Sequence, residues 1–189
     1  NRLLFHDRLD RLLAQARRSS QIAAVLFLDL DHFKEVNDTL GHDVGDLLLQ
    51  EVAKRLIVCV RDSDTVSRLG GDEFTLILGE IKRVTDAAAI SEKILMELKR
   101  PFSLAGHELY ISASIGISLF PRDGQDVHDL MKNADAAMYM AKSLGRQGYQ
   151  FYTDDMTATA AKLLDVETSL RRALDKNQFF LLFQPQFDM

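Results

Sequence analysis

Gly70 and Gly71 stand between two short β-like runs, Thr65 to Leu69 and Phe74 to Leu78, and are followed at once by Asp72 and Glu73. Glycine reaches the positive φ that a two-residue hairpin loop needs, so a Gly-Gly pair in this setting predicts a tight hairpin with two carboxylates at its tip. A second acidic pair, Asp29 and Asp31, closes the apolar run Ile22-Ala23-Ala24-Val25-Leu26-Phe27-Leu28. A continuous apolar run of this kind suits a strand covered on both faces. Acids at the ends of two strands supply the oxygen donors that a hard cation such as Mg²⁺ takes.

Around these runs the chain alternates helix and strand patterns. Leu3 to Arg18 reads as an amphipathic helix with Leu4, Leu9, Leu12, Leu13 and Ala16 on one side. Phe33 to Thr39 reads as a short helix broken by Gly41 to Gly45, and Asp46 to Val60 as a longer one, apolar at Leu48, Val52, Leu56 and Cys59. Val84 to Leu98 is helical and stops near Pro101. From Glu108 to Phe120, Leu109, Ile111, Ala113, Ile115, Ile117 and Leu119 share one face, and Tyr110, Ser112, Ser114, Gly116 and Ser118 the other, which predicts one long strand. Asp126 to Leu144 is a helix with Val127, Leu130, Met131, Ala134, Met138 and Ala141 inward and Gly145 as its stop. Tyr149 to Tyr152 reads as a short edge strand, and Asp154 to Asp175 as a long helix striped by Leu163, Val166, Leu170 and Ala173. Phe179 to Phe183 reads as a further strand. The order is β-α-α-β-β-α-β-α-β with flanking helices, an α/β arrangement of helices packed on a mixed sheet. Residues 1–153 are expected to form one domain, residues 154–175 a linker helix, and residues 176–189 a remnant too short to fold alone.

Composition narrows the function classes. With 189 residues and 47% hydrophobic content the chain can bury a full core, which excludes a disordered segment. A formal net charge of -5 argues against a nucleic-acid binder. It admits a nucleotide substrate if a metal stands between the acids and the phosphates. Cys59 is the only cysteine, so there is no disulfide framework or cysteine zinc cluster, and it reads as a buried thiol. No apolar stretch approaches the ~20 residues that cross a bilayer, and no signal peptide opens the chain. A cytoplasmic setting is expected for this segment, with membrane tethering of the full-length protein left to parts outside it.

Each candidate residue has a bland reading beside the chemical one. Asp29 at a strand end can cap the next helix, or it can hold a metal with an acid from the hairpin tip. Side chains alternate along a strand, so Asp29 and Asp31 should point one way while Asp72 and Glu73 point apart, one of them toward Asp29. The His32-Phe33-Lys34-Glu35 stretch opens a helix whose free N–H groups can bind phosphate, with Lys34 adding charge; otherwise Lys34 is a solvated helix residue. His32 reads as structural or surface. Asn37 and Asp46 together offer the donors and acceptors that a base edge such as guanine's requires, although Asn37 also suits a helix end and Asp46 a first helical turn. Lys142 and Arg146, four apart, share a side and can clamp phosphates if the helix reaches that far; basic residues also suit a helix C-terminus. Arg61 and Asp64 frame a polar turn before the hairpin.

The stretch Arg68 to Phe74 with Thr75-Leu76-Ile77, the upstream Leu28-Asp29-Leu30-Asp31-His32-Phe33-Lys34, and Asn37-Asp38-Thr39-Leu40-Gly41-His42-Asp43-Val44-Gly45-Asp46 together resemble a GGDEF domain, the family of the bacterial diguanylate cyclases. The resemblance covers about residues 1–153. It implies a nucleotidyl-cyclase, ferredoxin-like βααββαβαβ fold with a five-stranded, mainly antiparallel sheet. Asn1-Arg2 resembles the end of the family's opening motif, so the chain looks cut from something longer, with an upstream sensor domain expected. The tail from Leu164, above all Gln184-Pro185-Gln186, resembles the start of an EAL phosphodiesterase domain; that domain's catalytic residues are absent here.

The implied reaction condenses two GTP molecules into cyclic di-GMP with loss of pyrophosphate, in a face-to-face homodimer. By position, Asp29, Asp72 and the carbonyl of Leu30 would hold Mg²⁺, or Mn²⁺, and Glu73 would be a further ligand or help deprotonate the hydroxyl. Phe33 and Lys34 would meet the terminal phosphates, Lys142 and Arg146 would clamp them, and Asn37 and Asp46 would read guanine. Arg61 and Asp64 match the family's product-binding inhibitory site. The family commonly has Asn after the arginine at position 146, where this chain has Gln147. Two functions follow: a product-inhibited cyclase, or a weakly active GTP- or cyclic di-GMP-binding module that regulates an adjoining EAL domain. The intact Asp29, Asp72 and Glu73 set favours turnover.

Overall fold

The computed structural model describes residues 2–176, 178–180 and 182. The apolar run expected to be a doubly covered strand forms β1 (Ile22–Asp31), which lies at the centre of a five-stranded sheet. Its neighbours are β3 (Glu73–Ile81) and β6 (Ser112–Phe120), both antiparallel to it. β2 (Thr65–Gly70) pairs antiparallel with β3, and β7 (Tyr149–Phe151) pairs parallel with β6, giving the order β2-β3-β1-β6-β7. The mixed, mainly antiparallel five-stranded sheet is therefore as the resemblance implied.

Each face of β1 feeds its own core. Ala24, Leu26, Leu28 and Leu30 pack with Leu48, Val52 and Leu56 of α3 (His42–Cys59) and Ile94 and Leu98 of α4 (Val84–Leu98). Ala23, Val25 and Phe27 pack with Phe5, Leu9 and Leu13 of α1 (Arg2–Ser19) and Leu130, Ala134 and Met138 of α5 (Val127–Ser143). In α1 the buried stripe begins at Phe5; Leu4, expected inward, is exposed, because five residues separate it from Leu9 and rotate it off the face. Met131 is only half-buried at the edge of the α5 stripe. The two helices of the first core also cap each other. Arg55 of α3 donates to the carbonyls of Glu97, in the last turn of α4, and of Arg100 and Pro101 just beyond it, while Lys93 of α4 donates to those of Val58 and Cys59 at the end of α3.

Three boundaries differ from the sequence pattern. α3 starts at His42, so Gly45 is not a break but a buried helical residue. A Cβ at Gly45 would lie 1.9 Å from Oδ1 of Asn37, so glycine leaves room for the Asn37 carboxamide, on α2 (Phe33–Leu40), to lie against α3. The run from Glu108 to Phe120 is two strands. β5 (His107–Leu109) turns back on β4 (Phe102–Leu104) through Ala105 and Gly106, both at positive φ, and β6 starts only at Ser112. Alternation survives the break because the two faces stay in phase across Tyr110 and Ile111. In the main hairpin the loop is Gly71-Asp72, since Gly70 already pairs with Glu73.

The long helix α6 (Asp154–Asp175) forms as expected, with Val166 and Leu170 of its stripe exposed. Phe179, Phe180 and Leu182 are in no strand, against expectation, while Leu181, Phe183 and Gln184-Pro185-Gln186 lie outside the described residues, as does Asn1. Among the described residues no helix is long and apolar enough to cross a membrane.

Candidate functional site

Asp29 sits directly opposite Glu73 in the β1–β3 ladder. Glu73 shares its face of β3 with Ile77, which packs in the α1/α5 core, and Asp29 shares its face of β1 with Val25 and Phe27 of that same core. Asp72, in the loop, accepts the N–H of Leu30 on its carbonyl at 3.3 Å, which locks the hairpin tip onto the end of β1. The structure thus gathers Asp29, Leu30, Asp72 and Glu73 at one sheet end, Asp29 being 8% exposed.

The charges in this corner oppose one another. Burial pushes the Asp29 carboxyl above its ordinary 3.8; a hydrogen bond from Lys142 pulls the other way, and Asp72 and Asp31 add to the rise. Glu73 is raised above 4.5, again first by burial and then by Asp29, Asp135 and Asp72. Burial likewise raises Asp135, which lines an open cleft of about 430 Å³ together with Glu73, His6 and His128. Like charges placed directly across a ladder repel, and low dielectric sharpens the repulsion. An all-oxygen, anionic donor set of this kind fits a hard divalent cation, which would relieve it. The side chains as they stand are not a closed coordination shell: among the described residues no three His, Cys, Asp or Glu groups converge on one ion position. Instead Lys142 Nζ lies 2.7 Å from Asp29 Oδ1.

Beyond β1 the chain turns through His32, at φ 62°, into α2. His32 is exposed and bonded to Glu35, a surface role as expected. Phe33 is buried and Lys34 exposed, at the helix start. Asn37 lies with its carboxamide over Gly45, beside the turn that carries the exposed Asp46, so these two are brought together.

Lys142 and Arg146 do not share a helical face as the spacing suggested. α5 ends at Ser143, and Gly145, Arg146 and Gln147 follow at φ 115°, 62° and 54°. Left-handed backbone at a non-glycine residue costs about 1–3 kcal/mol, so something must hold this loop. Asp31 does so. It is 3% exposed and accepts from Ser112 Oγ at 2.6 Å, Ser114 Oγ at 2.7 Å and the Gln147 N–H at 3.3 Å. The sequence grouped Asp31 with Asp29 but gave it no task; the available signal was Ser112 and Ser114 on the polar face of the alternating run.

Arg61 and Asp64 stand apart from this corner, at the open end of the β2–β3 hairpin, about 20 Å from its tip for six residues of strand. Asp64 accepts the N–H of Arg61 at 3.0 Å and of Gly79 at 3.2 Å, while Arg61 is exposed.

Residues 1–148 match the family described as diguanylate cyclase, GGDEF domain. The chain belongs to this family. The chain is 50% identical over 186 residues to the bifunctional diguanylate cyclase/cyclic di-GMP phosphodiesterase MucR of Pseudomonas aeruginosa, covering 98% of this chain and 27% of that protein. It is 42% identical over 147 residues to the diguanylate cyclase TpbB of the same organism, covering 77% of this chain and 34% of TpbB. The chain thus spans about a quarter to a third of the length of these relatives. Among solved structures, the GGDEF domain of YfiN (TpbB) superposes with a TM-score of 0.80 at 40% identity, covering 81% of this chain and 96% of that one. An EAL/GGDEF domain protein from M. capsulatus gives 0.71 at 48% identity, covering 81% and 99%.

Proposed function

We propose that this GGDEF domain condenses two GTP molecules into cyclic di-GMP. Each of two copies presents one GTP; the 3′-hydroxyl oxygen of each attacks the α-phosphorus of the other, two P–O bonds form, two pyrophosphates leave and the hydroxyl protons are released. The observation that carries this reading is the placement of Asp29 opposite Glu73 with Asp72 locked beside Leu30, a concentration of carboxylate that makes sense where a cation and a polyphosphate meet. Asp29, Asp72, Glu73 and the Leu30 carbonyl would hold Mg²⁺ or Mn²⁺. Such an ion neutralises phosphate charge and lowers the pKa of a coordinated hydroxyl. Phe33 and Lys34 bind the terminal phosphates at the start of α2, Lys142 and Arg146 neutralise them from the end of α5, and Asn37 and Asp46 select guanine. Glu73, directly opposite Asp29, accepts the proton or completes the cation's shell. Arg61 and Asp64 take up product at a separate inhibitory site; a relative's GGDEF domain, that of DgcB from Caulobacter crescentus, has been solved in complex with c-di-GMP.

Incubating the purified domain with GTP and Mg²⁺ and separating the nucleotides by chromatography tests this: cyclic di-GMP and pyrophosphate accumulate, and Asp72→Ala abolishes both. GTP turnover unchanged in Asp72→Ala refutes the site. A second reading is favoured by the 40% identity over 98% of this chain to the cyclic di-GMP phosphodiesterase NbdA of Pseudomonas aeruginosa. On that reading the domain binds GTP or cyclic di-GMP and controls an EAL domain that begins at residues 176–189 and is joined through α6. Tight GTP binding with no product selects it. A cytoplasmic location, and an upstream sensor domain, accompany either reading.

A further inference from the structure

Asp31 is not among the groups assigned to nucleotide or cation above, yet it is the most thoroughly bonded carboxylate at this end of the sheet. It closes β1, opposite Ser112 in the β1–β6 ladder. Its Oδ2 accepts from Ser112 Oγ at 2.6 Å and from the Gln147 N–H at 3.3 Å, and its Oδ1 accepts from Ser114 Oγ at 2.7 Å. The Arg146 Nε lies 4.0 Å from that same Oδ1, with 47% of the arginine side chain exposed against none of the Asp31 side chain. These contacts tie together the end of β1, the start of β6 and the loop after α5.

That loop has few other restraints. The Arg146 N–H reaches back to the Ala141 carbonyl at 3.1 Å, and Gly145 to that of Lys142 at 3.3 Å. Both bonds fix the turn relative to its own helix. Relative to the sheet it is fixed at its far end by the Gly148 carbonyl, which accepts the Ile115 N–H at 2.9 Å, and at Arg146 and Gln147 themselves by the Asp31 carboxylate. Arg146 thus has its Nε beside a buried anion while about half of its side chain stays in solvent. A carboxylate whose lone pairs are already occupied by two hydroxyls and an amide N–H orients a guanidinium without enclosing it.

We propose that Asp31 is a positioning residue: it touches no nucleotide, but it sets the left-handed Gly145–Gln147 loop so that the Arg146 guanidinium meets the terminal phosphates of a bound GTP. This rests on the nucleotide reading of the site given above. It separates Asp31 from Asp29, two residues away on the same face, which acts on the cation side. An arginine positioned in this way contributes through phosphates alone, so the effect of Asp31 is selective for the triphosphate over the nucleoside monophosphate.

The test is calorimetric titration of the domain with two probes in the presence of Mg²⁺: a GTP analogue with a methylene bridge between the α- and β-phosphates, and GMP. Asp31→Asn is expected to weaken the analogue roughly tenfold while GMP stays within about twofold, the loss expected for one charge-assisted contact. Arg146→Ala gives the same pattern, and the double variant binds the analogue no more than about twofold worse than Arg146→Ala, since both changes remove one interaction. Equal losses for analogue and GMP, or losses that multiply in the double variant, overturn the inference. If Asp31→Asn does not fold, Ser114→Ala removes the donor on the oxygen that faces Arg146; a loss of about threefold for the analogue alone is expected, and no change or a matching loss for GMP overturns it. A wild-type domain with no affinity for the analogue overturns the reading of the site and this inference with it. Wild-type affinity that Asp31→Asn leaves intact overturns this inference alone.

Discussion

Lys142 donates to Asp29 across the gap between α5 and β1, Nζ to Oδ1 at 2.7 Å, with the carboxylate side chain 12% exposed and the ammonium 27%. The pair joins the end of a helix to the end of the central strand. Replacing Lys142 by Met keeps the apolar stem and removes the charge, which leaves Asp29 buried beside Asp72 and Asp31 with no cation. The expected destabilisation is about 2 kcal/mol at pH 7, less than for a fully buried pair because the lysine is partly solvated. Without its ammonium Asp29 takes up a proton more readily, so the loss shrinks as pH falls toward 4. Urea denaturation of both proteins at the two pH values measures this, and equal stability at pH 7 would show that the pair is not formed in solution.

Glu73 gives a prediction of the opposite sign. Its folded-state pKa is raised above 4.5, first by burial and then by Asp29 and its neighbours. A group whose folded pKa lies above its unfolded one stabilises below the unfolded value and loses that contribution as pH rises through the folded one. At neutral pH the ionised Glu73 therefore works against folding. Glu73→Gln should raise Tm at pH 7, with the advantage vanishing by about pH 4, where the wild-type acid is itself protonated. Mg²⁺ should raise the Tm of the wild type more than that of the variant. A variant less stable than wild type at pH 7 contradicts the electrostatic picture of this corner.

How much of this was legible beforehand depended on how local each cause is. The apolar run of β1 announced a strand buried on both faces, and Gly-Gly before two acids announced a hairpin, because both are written in neighbouring residues. The meeting of Asp29 with the hairpin acids could be anticipated as a proximity, but the direct pairing with Glu73 is a matter of register, which the β1–β3 ladder sets along its whole length. Gly45 looked like a helix breaker; what lies over it is the Asn37 side chain, on another helix. The split before β6 was hidden because Leu109 and Ile111 stay in phase with the strand that follows. Gly145 signalled the end of α5 correctly, yet the left-handed course of Arg146 and Gln147 is held by Asp31, more than a hundred positions earlier in the chain.

The turn at Arg61 and Asp64 combines an exposed group with a structural one, and the two should separate on mutation. The Arg61 side chain is exposed, whereas the Asp64 carboxylate holds the N–H groups of Arg61 and Gly79. Arg61→Ala should relieve inhibition by cyclic di-GMP while changing stability by less than about 0.5 kcal/mol. Asp64→Ala should relieve it as well and lose about 1–2 kcal/mol, because the partly buried Gly79 N–H is left without its acceptor. Initial-rate measurements over a range of added cyclic di-GMP, with urea denaturation alongside, distinguish the two. An unaltered inhibition curve in Arg61→Ala removes the turn from that role.

Gly116 sets how closely α5 can approach the sheet, and so where Lys142 and the loop after it lie. It sits on the polar face of β6 between Ser114 and Ser118. A Cβ there would stand 1.9 Å from the Ala134 carbonyl oxygen and 2.1 Å from the Met138 nitrogen. Both atoms are helix backbone, which cannot rotate away as a side chain can, so Gly116→Ala must push α5 off β6. The seat of that contact is the core formed by Val25, Phe27, Leu130, Ala134 and Met138. The expected loss is about 3 kcal/mol, the upper part of the range for overpacking a close-packed interior. The displacement also carries Lys142 away from Asp29. GTP turnover in Gly116→Ala should therefore fall by more than the folded fraction accounts for, when both are measured at a temperature where at least nine-tenths of the variant, by circular dichroism, is still folded. Turnover that tracks the folded fraction would mean that the close seat of α5 serves stability only, and that the ends of β1 and α5 find their relative position by other contacts.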